Sequence, residues 1–284
     1  MSKIFICIGS ANSFDATLEY AKEHRYNLEF SGICGPHILD TNWQELVKDY
    51  QQKLHGFKGA ISVHGAHYDL VYTEQKREEE LRKLAIHSED KKVREVSRQK
   101  IFQSIEIARE LKAKRVVFHG DFNPLVRGER YKPNWIERDV IFWSEVVEKY
   151  PSIEVVLENT MEPRPEIFRT VLDEVNSSRL KICLDIGHVS VWAEVPVEEW
   201  IAVFEEWIAV LGEDIRSIHT HDTNGYVDSH RIPPGKGTIN WQEFSDLIAK
   251  YQIDPDIVFE VNPLETTIQS LKYFREENIY PFNK

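Results

Sequence analysis

Cysteine is scarce and poorly placed for chemistry: Cys7, Cys34 and Cys183 are the only three in 284 residues and stand far apart in apolar stretches. That argues against a disulfide framework or a thiolate metal site and fits core thiols in a reducing compartment. Long hydrophobic runs are missing too, since none approaches the roughly 20 residues of a membrane-spanning helix. The opening MSKIFICIGSAN has one lysine and a brief, β-branched apolar run, so it reads as a first strand and not as a signal peptide. A cytoplasmic protein with no membrane partner is expected. Positive charge is in deficit, with a formal net charge of -12. This disfavours a broad, sequence-independent grip on a phosphate backbone, while leaving room for a local basic rim around an acidic, metal-filled site. IGSANSF, after the first apolar run, lacks the GxGxxG spacing of an open dinucleotide-binding sheet.

What is present is regular alternation. Eight short β-type runs, KIFICI, NLEFSGI, GAISVH, RVVFH, IEVVLE, LKICLD, IRSIH and DIVFE, are separated by amphipathic segments. The helical patterns cover Ser13–His24, Asn42–Leu54, a long stretch ending near Leu111, Trp135–Tyr150, Pro165–Val175, Val197–Leu211, Trp241–Tyr251 and Thr266–Glu277. Continuous apolar strands imply a parallel sheet covered on both faces, and eight units close as a single (β/α)8 TIM barrel. No composition shift divides the chain, so 1–284 is expected to form one domain. The charged stretch 73–100 reads as a solvated helical extension within it.

The strand ends carry the chemistry. Six of the eight finish on His64, His119, Glu158, Asp185, His219 or Glu260, and His188, Asp228 and His230 follow closely. In a barrel the carboxyl ends converge on one mouth. One such residue is an ordinary polar strand end, but nine crowded together need a cation, because several carboxylates cannot share a site as bare anions. Imidazole and carboxylate suit zinc, manganese, iron or cobalt, with zinc favoured and manganese or iron as alternatives. At about four ligands per ion, nine suffice for two or three. His67 and His221 are read as pocket wall and non-ligand, and His24, His37, His55 and His87 as surface residues. Trp241 is read as a packing residue.

The set VHGAHYDL, VVFHG, VVLEN, CLDIGH, IHTHD, DSH followed by PGKGTINW, and VFEV resembles the xylose isomerase-like barrel superfamily. Within it, the set is most similar to the endonuclease IV (AP endonuclease family 2) branch and to the sugar phosphate isomerases and epimerases. The endonuclease IV resemblance implies a trinuclear hydrolase of phosphoesters. His64 and His119 would hold one ion, bridged by Glu158 to a second completed by Asp185, His219 and Glu260, and His188, Asp228 and His230 would hold the third. The epimerase resemblance implies one ion on Glu158, Asp185, His219 and Glu260, with Glu158 and Glu260 as the catalytic pair exchanging a proton at carbon and His188 touching substrate. That pattern places an arginine where Gly225 stands. Ligand count favours the hydrolase, acting on a small phosphorylated molecule or an abasic nucleic acid; a barrel that binds a metal or phospho-ligand without turnover is the third alternative. Arg127, Arg130, Lys132, Arg164, Arg231 and Lys236 are candidate substrate cations. Tyr68, with Tyr131 and Trp135, is a candidate pocket wall. Oligomeric state is left open.

Overall fold

A computed structural model describes residues 3–73, 78–120, 134–162 and 164–283, with the backbone alone for 69–83. Its strands are β1 (Ile4–Ile8), β2 (Asn27–Phe30), β3 (Ile61–His64), β4 (Tyr68–Thr73), β5 (Glu78–Lys83), β6 (Arg115–His119), β7 (Glu154–Glu158), β8 (Leu180–Asp185), β9 (Ile215–Thr220) and β10 (Asp256–Phe259). Eight of them close a parallel barrel in the order β1-β10-β9-β8-β7-β6-β3-β2, the eight runs expected from the sequence. The helices are α1 (Phe14–His24), α2 (Pro36–Leu39), α3 (Trp43–Lys53), α4 (Lys91–Glu110), α5 (Asn134–Lys149), α6 (Glu166–Val175), α7 (Ile186–Trp192), α8 (Trp200–Leu211), α9 (Trp241–Lys250) and α10 (Leu264–Glu276). No helix among the described residues is long and apolar enough to cross a membrane.

Alternation along each strand sorts side chains into two compartments. Val116, Phe118, Val155 and Leu157 belong to the large core that also takes in helix residues such as Phe142, Trp143, Phe168 and Trp207. Their neighbours Val117 and Val156 instead meet Cys183, and Phe5 and Cys7 meet Val258, in two small clusters of their own. The apolar burial that stabilises the fold therefore sits between sheet and helices. The second compartment is sparse in hydrocarbon and holds polar groups: on it, Ser62 Oγ donates to Glu29 at 2.7 Å, both fully buried. The three cysteines are buried and unpaired with one another, as expected of core thiols.

The stretch 73–100 is corrected. Tyr68–Thr73 and Glu78–Lys83 pair antiparallel, Tyr68 opposite Lys83 and Thr73 opposite Glu78, and helix begins only at Lys91. YDLVYT is rich in aromatic and β-branched residues, and a partner strand five residues on lets the acidic run EEELRK adopt β pairing against its own helical preference. Asp90 then starts α4 as an N-cap, accepting from Lys92 N at 2.8 Å. His87 is also corrected: it is buried in the turn before α4, 3.1 Å from Asp139 and with its ring tilted against Trp135 at 4.4 Å.

Candidate metal centre

Strand geometry brings the expected residues to one end of the barrel. β7 and β8 end on Glu158 and Asp185, His219 is the penultimate residue of β9, and Glu260 follows β10 directly. All four are buried, and one ligand atom from each lies within 4.8 Å of the others. Their inner atoms crowd one another: His219 Nδ1 lies 2.8 Å from Glu260 Oε2 and 3.3 Å from Glu158 Oε1, and Asp185 Oδ2 is buried without a hydrogen-bond partner. Three carboxylates and an imidazole with buried ligand atoms this close match the ligand set of a borderline divalent ion.

Two further groups flank this one. His64, His67 and His119 form the first, and His188, His221, Asp228 and His230 the second. The ring nitrogens are sorted by their outer partners, as they are when a histidine ligand is held in one tautomer. His64 Nδ1 donates to Gly65 O at 3.0 Å, His188 Nδ1 to Asn159 O at 2.8 Å and His230 Nδ1 to Glu260 O at 2.9 Å. In each ring Nε2 then faces a carboxylate: Glu158 at 3.0 Å from His64, and Asp228 at 3.3 Å from His188 and 3.4 Å from His230. Asp185 does double duty, because its carboxylate also caps α7 by accepting from His188 N at 2.7 Å. Asn159 fixes Asp185 from behind, with its side chain bonded to both the N–H and the carbonyl of that residue.

His67 and His221, read from sequence as bystanders, belong to these groups. His221 stands one residue beyond β9 and is fully buried; it joins the group of His188, Asp228 and His230, apart from the group that holds His219. His221 Nε2 lies 3.1 Å from Asp185, and its ring is 4.3 Å from that of His230. Gly187 makes this approach practicable, since a Cβ there would sit 2.1 Å from His221 Cε1. His67 stacks on His119 at 4.7 Å.

Glu29 was missed. It is fully buried on β2 and meets His219 Nε2 at 2.9 Å, leaving Nδ1 of that ring toward Glu260 and Glu158 at 2.8 and 3.3 Å. A carboxylate behind a histidine ligand orients the ring and raises its basicity. Glu29→Gln, which can still pair with Ser62, is expected to weaken divalent-ion affinity about 10–100-fold. Competition against a chelating dye checks this, and an unchanged affinity would remove Glu29 from the site.

The buried carboxylate of Asp222 accepts four bonds: Thr223 N at 2.9 Å, Gly235 N at 2.9 Å, Ile239 N at 3.2 Å and Trp241 Nε1 at 3.1 Å. It ties down both ends of the loop that carries Asp228 and His230. Asp222→Asn turns an amide N–H₂ toward these donors. A loss of roughly 2 kcal/mol is expected, read as a fall in Tm of about 4–8 °C, together with weaker metal binding by the Asp228 group.

The charges are strongly coupled. Burial pushes Glu158 up, but the charges of His219 and His119, with bonds from His219 and His64, hold it well below the usual carboxylate range. Glu260 is likewise lowered, burial being outweighed first by His219 and then by His230. Burial would lower His64, yet its bond to Glu158 raises it to about 9. His188 and His219 also rise against burial, the first chiefly through Asp185 and the second through Cys183 and then Glu260. Asp228 is brought to about 2, where burial is overcome by His188 and then His230.

Beside the His64 group, the ends of β1, β2 and β3 enclose a cavity of about 400 Å³ whose wall includes His67, Tyr68, His37 and Tyr50. Tyr68 therefore stands where a pocket wall was expected. Arg164, Arg231 and Lys236 are exposed and are not part of that lining. Arg127, Arg130, Tyr131 and Lys132 fall outside the described residues. Trp135 is fully buried and walls no part of the cavity. Trp241 packs in the core as expected and adds its bond to Asp222.

Fold and side chains together define a (β/α)8 barrel with candidate metal-binding groups of histidine and carboxylate at the mouth. The profile of the family described as xylose isomerase-like TIM barrel matches residues 20–277, and the chain belongs to that family. An uncharacterised protein of Methanocaldococcus jannaschii, MJ1311, is 27% identical over 273 residues, 93% of this chain and 84% of its own. Among solved structures, the TTHB071 protein from Thermus thermophilus, soaked with ZnCl2, superposes with a TM-score of 0.71 at 22% identity, covering 96% of this chain and 97% of the other. A D-tagatose 3-epimerase-like protein gives 0.72 at 23% identity, covering 97% and 96%. A D-psicose 3-epimerase in the presence of D-fructose gives 0.67 at 11% identity, covering 97% and 99%. At these identities the likeness of the solved structures is one of fold.

Proposed function

We propose that this barrel is a metal-dependent epimerase or isomerase of a small sugar or sugar phosphate, moving a proton at the carbon beside a carbonyl. This reverses the order in which ligand count alone ranks the two activities. The observation that carries it is the convergence of buried ligand atoms from Glu158, Asp185, His219 and Glu260 within 4.8 Å of one another, the ligand set that the epimerase resemblance implies. The epimerase names of two structurally similar proteins support it. A divalent ion held there supplies Lewis-acid polarisation of the substrate carbonyl oxygen. Glu158 and Glu260, both held ionised, stand on β7 and just beyond β10, separated around the barrel by β8 and β9. One carboxylate accepts the proton from one side of the carbon and the other returns a proton to the opposite side. His188, buried against Asp185 and Asp228, holds a substrate hydroxyl. The cavity walled by His67 and Tyr68 takes the rest of the molecule, because Gly225 offers no guanidinium where the epimerase pattern has one.

The test is solvent-deuterium incorporation. Protein loaded with manganese, cobalt or zinc is incubated in D2O with a panel of ketoses and ketose phosphates and followed by proton NMR. Metal-dependent washout of the proton beside the carbonyl is expected, with or without net epimer. No washout across the panel, beside turnover of a phosphoester, would replace this reading with the second one.

That second reading, phosphoester hydrolysis at a di- or trinuclear site, is favoured by one specific observation. The groups of His64, His67 and His119 and of His188, His221, Asp228 and His230 exceed what a single ion needs. Asp228→Asn separates the two activities. It is expected to lower the bound metal by about one equivalent while leaving the Glu158 group filled. Deuterium washout then persists within a few-fold, whereas phosphoester turnover, if that is the activity, falls by roughly a hundredfold or more.

A further inference from the structure

The cavity at the ends of β1, β2 and β3 adjoins the candidate metal centre through His67, which lines it and also belongs to the group of His64 and His119. At about 400 Å³ it falls within the range of small-molecule sites. The short carbon tail of a ketose beyond its reacting centre would fill little of that space. Gly32 passes Gly9 so closely that a Cβ on it would stand 2.4 Å from the Gly9 carbonyl oxygen, so the loops after β1 and β2 meet backbone to backbone there. Ile38, Leu46 and Tyr68 line the same cavity and are only half-buried. Phe30 and Tyr50, also in the wall, stack on each other with ring centroids 5.6 Å apart.

What the wall leaves out decides the ligand. Among the described residues that line it there is no Lys, Arg, Asp or Glu, and no Asn or Gln. A phosphate or carboxylate placed there would give up water and gain no cation beyond the imidazoles of His37 and His67. A second sugar ring fares little better. Neighbouring hydroxyls are matched by planar side chains that offer paired donors or acceptors, and this wall has none of the amide, carboxylate or guanidinium type. Ser31 Oγ is already drawn to the Ile8 carbonyl, at 3.4 Å. Buried hydroxyls without partners are costly, whereas an apolar ring gains contact with Ile38, Leu46 and Tyr68.

We propose that the sugar this barrel takes carries an uncharged, apolar aglycone in place of a phosphate, with the sugar at the metal centre and the aglycone in this cavity. The sugar end rests on the epimerase reading above; the aglycone rests on the cavity alone.

Calorimetry on the metal-loaded protein compares hexoses that differ only at the anomeric oxygen: the phenyl glycoside, the methyl glycoside and the 1-phosphate, in the gluco, galacto and manno series. In at least one series the phenyl glycoside is expected to bind about tenfold tighter than the methyl glycoside. Ile38→Ser and Leu46→Arg should each remove most of that advantage without weakening the methyl glycoside, and Leu46→Arg should tighten the 1-phosphate by supplying the missing cation. Both side chains are half-buried, so the fold should survive, and an unchanged melting temperature checks that. Deuterium washout separates the ligand from the activity. Washout from free ketoses with no phenyl advantage keeps the epimerase reading and overturns the aglycone. A phenyl advantage that both substitutions remove, with no washout from any keto-sugar, supports the aglycone and removes the epimerase reading alone. No phenyl advantage in any series, or one that survives both substitutions, would overturn the proposal.

Discussion

Glu158→Gln is expected to lower turnover by about a thousandfold or more, at the upper range for loss of a positioned acid or base, because two losses fall on one atom group. Glu158 Oε2 faces His64 at 3.0 Å and His119 at 3.6 Å, while Oε1 faces His219 at 3.3 Å and His188 at 3.5 Å. No other carboxylate among the described residues touches all three candidate metal-binding groups. An amide there has no negative charge, presents N–H₂ to an imidazole N–H, and cannot accept a proton. Both activities considered for the site therefore fail, and the measurement that distinguishes their causes is metal content. If the variant keeps its ions and loses turnover, Glu158 acts in proton transfer. If ions and turnover vanish together, its first role is as a ligand, and Glu158→Asp should restore part of the binding. Glu260→Gln gives the companion result for the proposed chemistry. With Glu158 intact, one half of the exchange survives, so deuterium washout should continue from one face while net epimerisation stops. Turnover within tenfold of wild type in Glu158→Gln would sink the site as described.

The barrel was legible because its strands are covered on both sides and thus read as unbroken apolar runs, as in IEVVLE and LKICLD. The ligands at strand ends were legible for the same reason: a His or Glu that closes such a run has no place to go except the mouth. What escaped notice depends on pairings that no local pattern shows. Glu29 interrupts an apolar strand, which marks it as odd, but its meaning comes from His219, 190 residues further on and across the barrel. His221 is read from sequence as a non-ligand, and its group emerges only when the fold brings His188, Asp228 and His230 beside it. The hairpin of β4 and β5 is acidic and locally paired, so charge patterning pointed to helix where the partner strand decides. His87 stands beside a helical pattern, and its packing against α5, through Trp135 and Asp139, is a contact that no local pattern shows.

Stripping the metal should expose the charges that an ion displaces, and the sign of the pH dependence follows from them. In the metal-free protein His64 titrates at about 9 against an ordinary value of 6.5, so its protonated form stabilises the fold. That contribution is complete below about pH 6.5 and is lost as pH rises through 9; the gap of about 2.5 units amounts to some 3 kcal/mol. The depression of Glu158 is the same contact seen from its partner and is not added again. Asp228 works on the acid side, its contribution being present above pH 3.8 and lost as pH falls through about 2. The metal-free Tm should therefore fall steadily between pH 6.5 and 9. A bound ion requires neutral imidazoles, so affinity should climb over the same window, about tenfold per pH unit for each proton displaced. His64, His188 and His219 all rise above the usual histidine range, which sets the expected release at up to three protons. Calorimetry of zinc binding in two buffers of different ionisation enthalpy counts them. A release near three with a widening Tm gap between loaded and stripped protein is the expected result. A release near zero at pH 7, with a flat metal-free Tm from pH 6.5 to 9, would mean that the histidines are neutral in the free protein and that the carboxylates, not imidazolium, carry the burden of an empty site.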